Sequence, residues 1–331
     1  MMVLIVLFLP LIIEAFYAPV NWINDILSSK KESSIYVATF EGVYKSRDFG
    51  NSFKQINNGF FNLHINSIEM DKDGRVYAGC DDGLYLLKNE RWEKIKDVAF
   101  VRKILILNKT VFITTEIGKV LRNNGKSWDT VISLKSPITG IASSDKILYV
   151  SSYNDGIYKS CDCGKNWKRL EFEGKRIWDI LPDKNSLFVA SEEGLFKGSN
   201  TWKALNYGLT TKDIRVIKKD KNILYLGSYI GGFFISYDNG GKWYPANTRL
   251  FNTNIRDIEI LQDKIYLATE NGIYKTDNKG QSFKRLSNGL VYLSQPPPSK
   301  SPDDIRKRKE KLGIKPPSKE GEAAGGHGGG H

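Results

Sequence analysis

Arg102, Arg215 and Arg256 each stand second in a short stretch with apolar ends, VRKI, IRVI and IRDI, and Arg176 immediately precedes a fourth such stretch, IWDI. A guanidinium is a planar fork of donors that grips carboxylates in pairs of hydrogen bonds. Four arginines at recurring places therefore make a candidate partner-binding face for an acidic peptide or a carboxylate. Asp25, Asp179 and Asp257 recur one residue further along their own stretches, and carboxylate pairs are the machinery of glycoside hydrolysis. Recurrence gives both sets a second meaning, in which basic side chains fill a polar channel and pair with these acids. His64 is the single histidine outside the last residues of the chain, and neither a Ser-His-Asp arrangement nor a phosphate-binding loop is recognisable. The expectation is a protein with no catalytic residues and no cofactor.

Cys161 and Cys163 flank Asp162 in YKSCDCGKNW, a spacing that could ligate metal or hold reactive thiols. The stretch is not unique. YKSRDFGNSF from Tyr44, FISYDNGGKW from Phe234 and YKTDNKGQSF from Tyr274 repeat its order of hydroxyl, acid, glycine and aromatic, and put other residues where the cysteines stand. Zinc normally takes four ligands and only Cys80 could be a third cysteine, so no metal is expected. The repeated positions read as structural: Ser46, Asp48, Gly50 and Phe53; Ser160, Asp162, Gly164 and Trp167; Ser236, Asp238, Gly240 and Trp243; Thr276, Asp277, Gly280 and Phe283. The hydroxyl and acid bond turn backbone, glycine supplies positive φ, and the aromatic ring is buried between sheets.

The elements that must hold these turns repeat as well. Phe53, Trp92, Trp128, Trp167, Trp202, Trp243 and Phe283 follow one another at gaps of 39, 36, 39, 35, 41 and 40 residues. About forty residues accommodate four short strands, and a period of this size marks radial or solenoid arrays. Each repeat opens with an inner-strand candidate, INDI at Ile23, INSI at Ile65, VRKI at Val101, ITGI at Ile138, IWDI at Ile177, IRVI at Ile214 and IRDI at Ile255. A β-branched and aromatic run such as IYVAT or LFVAS follows, then a glycine turn into a third run such as GVYKS. The pattern predicts an all-β, seven-bladed β-propeller of four-stranded blades over residues 16–295, whose blades are contiguous in sequence. GLVYLSQ after Asn288 is a candidate extra strand. Repeats two, three and five are degenerate (LLKNERW, LRNNGKSW, FKGSNTW) but keep their tryptophan.

The turn motif resembles the Asp-box, or BNR, repeat S-x-D-x-G-x-x-W/F, over residues 22–286. The chain is most similar to the photosystem II assembly and stability factor family, and more distantly to sialidase-type and sortilin-type propellers and two-propeller xyloglucanases. Resemblance to the assembly factors implies a non-catalytic scaffold with a basic face that serves a membrane-associated complex. Resemblance to the sialidases and xyloglucanases implies glycan binding or glycoside hydrolysis, although the Arg-Ile-Pro motif of the sialidases does not occur and only one of the two propellers of the xyloglucanases is present. The Asp box is structural and is shared by unrelated functions.

The ends differ in character. Met1 to Ile13 is apolar, short of the about 20 residues that span a bilayer, and Ala15 offers a small residue for cleavage. Residues 1–15 read as a signal peptide or a membrane anchor, implying export to a periplasmic or extracellular space. Residues 296–331 read as a flexible charged tail rich in proline and glycine, with His327 and His331 at its end. A net charge of +12 over 331 residues favours an acidic partner or surface. The expected partner of this monomer is a protein, membrane proteins included, with a glycan as the alternative and no role for nucleic acid.

Overall fold

The computed structural model describes residues 22–174, 176–247, 249–250 and 254–290. The proposed leader, the 291–295 part of the candidate extra strand and the tail lie outside them. Twenty-eight strands form seven antiparallel four-stranded sheets, each ordered as in the chain, and no described residue is helical. The inner strands are Ile23–Ser29, Ile65–Met70, Val101–Leu107, Ile138–Ser144, Ile177–Asp183, Ile214–Asp220 and Ile255–Leu261. Each packs beside the next, and the last packs beside the first, so the blades close into a ring.

Second and third strands are apolar on both faces because each is sandwiched between neighbouring blades. Ser34–Thr39 is buried throughout, and Ile35, Val37 and Tyr44 of blade 1 join Tyr266, Ala268 and Ile273 of blade 7 in one cluster. Equivalent clusters fill the other inter-blade spaces, as where Phe188 and Ala190 of blade 5 meet Leu224, Phe234 and Trp243 of blade 6. Packing of this kind, distributed around the ring, replaces a single central core.

The turn after the third strand shows why its residue types recur. Ser46 Oγ donates to Asp48 Oδ1 at 2.7 Å and accepts from the Gly50 N–H at 2.8 Å, while the same aspartate oxygen accepts from the Ser52 N–H at 2.9 Å. Ser160 with Asp162 and Ser236 with Asp238 repeat this arrangement. In blade 7 the acceptor is Asn278, bonded by Thr276 at 2.7 Å, and Asp277 stands one residue off the repeat, beside Lys264 and Lys275. The assignment of Asp277 to this position is therefore corrected to Asn278. An amide oxygen accepts the same bonds, so the turn closes without the acid. Cys161 and Cys163 are exposed, and Cys163, like Phe49, Asn239 and Lys279 at the equivalent place, has positive φ ahead of the positive-φ glycine.

The turn aromatics divide into two groups. Phe53, Trp92, Trp243 and Phe283 are buried, whereas Trp128, Trp167 and Trp202 are half-buried. Trp92 and Trp243 also donate Nε1–H to the preceding blade, to the Ile56 carbonyl at 2.6 Å and the Leu205 carbonyl at 2.8 Å. Trp167 instead donates to Gly164 in its own turn at 3.2 Å.

Closure uses an ordinary junction. The Trp92 N–H donates to Asn58 O and the Trp243 N–H to Tyr207 O, and at the seam the Phe53 N–H donates to Asn288 O at 3.0 Å. Gly59, Gly208 and Gly289 follow these acceptors with φ of 98°, 91° and 79°, and a Cβ on any of them would stand 2.0 to 2.3 Å from the carbonyl oxygen of the aromatic residue. Only glycine permits both the backbone conformation and that approach.

Candidate functional site: the arginine-bearing mouth of the channel

Every inner strand carries a bulge at its second residue. The register skips between residues 23 and 25, 65 and 67, 101 and 103, 138 and 140, 177 and 179, 214 and 216, and 255 and 257. A bulge bends the strand and re-aims a side chain. The extra residues are Asn24, Asn66, Arg102, Thr139, Trp178, Arg215 and Arg256, so three of the four candidate arginines occupy bulge positions at one end of the channel. Arg176 stands just before its strand, with φ of 53°.

The expected pairing with Asp25, Asp179 and Asp257 does not occur. Arg102 pairs with Glu116 at 3.4 Å, Arg256 with Glu270 at 3.4 Å, and Arg176 with Glu192. Each of these acids directly follows the second strand of the same blade. Blade 6 has Tyr229 at that place, and Arg215 bonds Asp213 at 2.6 Å instead. The face is therefore a ring of ion pairs, not an uncompensated basic patch. Burial lowers the pKa of Arg256, opposed by Glu270 and reinforced by the positive charge of Arg102 and Arg215.

Aromatic rings stand among the pairs. The Arg215 guanidinium lies 3.7 Å from the Trp178 ring centroid and 4.7 Å from that of Tyr229, and Tyr153 packs against Trp178 at 4.9 Å. On the next blade, Arg256 lies over Trp22, which meets Phe40 edge-on. Buried Nε atoms of Arg215 and Arg256, Nε1 of Trp178 and Oδ1 of Asp213 make no hydrogen bond within the chain. Tyr229 and Ile230 project at the same turn and are exposed. Trp178 and the partner glutamates were not among the expected site residues. Their signals are present, since Trp178 occupies the arginine place of IWDI and a glutamate ends each of TTE, ASE and ATE.

The channel aspartates have another task. Asp25 accepts the N–H of its neighbour Ile26 at 3.1 Å and that of Ile68 in blade 2 at 3.0 Å. Asp179 does the same for Ile180 and for Ile217 in blade 6, at 2.9 and 3.1 Å. Asp257 accepts the Ile26 N–H at 3.0 Å, which ties blade 7 to blade 1. Together with Glu69, Lys103, Lys218 and Glu259 they line a cavity of about 530 Å³.

No family model matches the chain, and no curated protein matches it. Solved structures share its fold. The GH74 xyloglucanase from Xanthomonas campestris superimposes with a TM-score of 0.68 at 11% identity, covering 83% of this chain and 55% of its own. The extracellular domain of a one-component system from B. thetaiotaomicron gives 0.66 at 17% identity, with 77% of this chain covered and 38% of that one. This chain thus spans about half or less of those two proteins. YCF48 from Cyanidioschyzon merolae gives 0.62 at 13% identity, over 77% of this chain and 94% of its own, and YCF48 bound to D1 peptide gives 0.61 at 14% identity, over 82% and 93%. At these identities the likeness is one of fold: the chain is similar to single- and multi-domain β-propellers of unlike activity.

Proposed function

We propose that this protein is a non-catalytic propeller scaffold that binds a protein partner at the arginine-bearing mouth, in the assembly or stabilisation of a membrane-associated complex. The observation that carries the reading is Arg215, stacked between Trp178 and Tyr229, with buried N–H groups of both Arg215 and Trp178 left unbonded inside the chain. Tryptophan, tyrosine and arginine are the side chains on which binding energy concentrates in protein interfaces. The Arg215 guanidinium is itself partly exposed, so a ligand that supplies acceptors can reach it. The fitting ligand is a peptide segment that brings a carboxylate or main-chain carbonyls to Arg215 and an apolar side chain to Tyr229 and Ile230. YCF48, a neighbour of comparable length, is solved holding a peptide. Against hydrolysis stands the commitment of Asp25, Asp179 and Asp257 to backbone N–H groups between blades.

Affinity capture from the native host, using wild-type protein and Arg215→Ala and Trp178→Ala variants, tests this. A reproducible partner held by wild type and lost by both folded variants is expected. Equal capture by all three would remove the mouth from the interface.

A further inference from the structure

A second surface, away from the mouth, has its own chemistry. Tyr207, Tyr237 and Tyr244 are 70%, 55% and 46% exposed. The Tyr237 and Tyr244 rings are 6.3 Å apart, and Lys242 Nζ lies 5.0 Å from the Tyr244 centroid and 6.0 Å from that of Tyr207. These contacts make a continuous strip along the outer edge of blade 6. Tyr237 also lines an open concavity of about 680 Å³, which the amides of Asn185, Asn222 and Asn239 share with Lys184, Lys197 and Lys219. Lys197 and Lys219 both bond Asp183 at 2.6 Å. Four lysines thus border the strip and its concavity against Asp183 and Asp238, an excess of positive charge.

We propose that this strip binds an anionic polysaccharide, one whose sugar rings carry uronate or sulfate groups. A pyranose presents a face of C–H bonds that stacks on an exposed phenol ring, its hydroxyls match side-chain amides, and its acid groups match lysines. The edge itself discourages a peptide added as a further strand. The outer strand here is only Tyr244–Pro245, and proline offers no N–H for pairing. Exposed rings with polar tips, a polar concavity and surplus cations together favour a hydroxyl-rich anion over an apolar partner.

Calorimetric titration of the full chain with alginate and heparin oligosaccharides, and with neutral cello-oligosaccharides of equal length, tests the proposal. Binding of at least one anionic oligosaccharide and none of the neutral one is expected. Tyr207→Ala and Tyr244→Ala should each weaken it by about tenfold, the loss of one stacked ring with its hydroxyl. Lys242→Gln should weaken it and reduce its salt dependence. Arg215→Ala should leave it unchanged, which separates this surface from the mouth. Unaltered melting curves establish that the variants are folded. Failure to bind any of the sugars would overturn the proposal, as would binding that survives the double tyrosine variant. Loss of a captured protein from the tyrosine variants, with no sugar bound by wild type, would assign the strip to a protein partner instead.

Discussion

At the scale of single residues, position decides what the same side chain contributes. Trp243 and Trp167 end equivalent turns, yet only Trp243 is buried and bonded to the preceding blade. Trp243→Ala should cost about 3 to 5 kcal/mol, the range for deleting a packed aromatic. Trp167→Ala should cost clearly less, and chemical denaturation of the two variants compares them directly. Equal losses would contradict the difference in burial. Cys161 and Cys163 were legible as variable turn residues because three other copies fill their places without sulfur. Replacing both by serine should leave the melting temperature unchanged. The reading of Asp277 put residue type ahead of spacing: the repeat places the acceptor two residues after the hydroxyl and two before the glycine, which here is Asn278, not the adjacent acid. The backbone register selects Asn278.

At the scale of elements, the repeat was legible because each blade has the same problem to solve. Its middle strands must be apolar on both faces, its turns need glycine, and its aromatic ring must reach the neighbouring blade. The bulge was not legible, because it is a property of the pairing between two strands and not of either alone. Without knowledge of the bulge, the recurring arginines and aspartates read as pairs that fill one channel. With it, the arginines stand at the mouth, where Arg102 and Arg256 meet glutamates that follow the second strand and Arg215 meets Asp213, while the aspartates turn to backbone N–H groups. The Asp-box turn carries its own pH dependence. The Asn166 backbone and side-chain amides and the Ser160 hydroxyl hold Asp162 at a pKa of about 2, and amide and hydroxyl donors also lower Asp238. Carboxylates depressed in this way stabilise the fold above their unfolded pKa, and that contribution is lost as pH falls through the folded value. Amide exchange at Gly164 and Asn166 should therefore remain protected well into acid and rise as pH approaches 2. Asp162→Ala should abolish that protection at neutral pH.

At the scale of the whole molecule, the ring is sealed at blades 7 and 1 by two carboxylates on a single donor, since Asp25 and Asp257 both accept the Ile26 N–H. Burial and the neighbouring Asp25 raise the pKa of Asp257 well above the usual carboxylate range, opposed by Lys218 and Lys103. Burial likewise raises Glu69, in the same channel, to about 7, opposed by the Met70 N–H and Lys218 and reinforced by Asp25 and Glu259. A carboxyl group raised on folding binds its proton more tightly in the folded state. Its stabilisation is complete below the unfolded pKa, about 4.5 for Glu69, and is lost as pH rises through the folded one. The channel therefore makes the propeller less stable as pH climbs from about 5 to 7.5. Glu69→Gln should flatten that slope, and so should Asp257→Asn, whose amide oxygen still accepts the Ile26 N–H while the repulsion with Asp25 disappears. Asp257→Ala should instead lower the melting temperature at every pH, because one hydrogen bond across the seam is lost along with the charge. Thermal melts of the three variants across this range distinguish the two effects. A wild-type melting temperature that rises with pH, or an Asp257→Asn variant as unstable as Asp257→Ala, would show that the raised carboxyl groups of the channel do not set the stability of the seam.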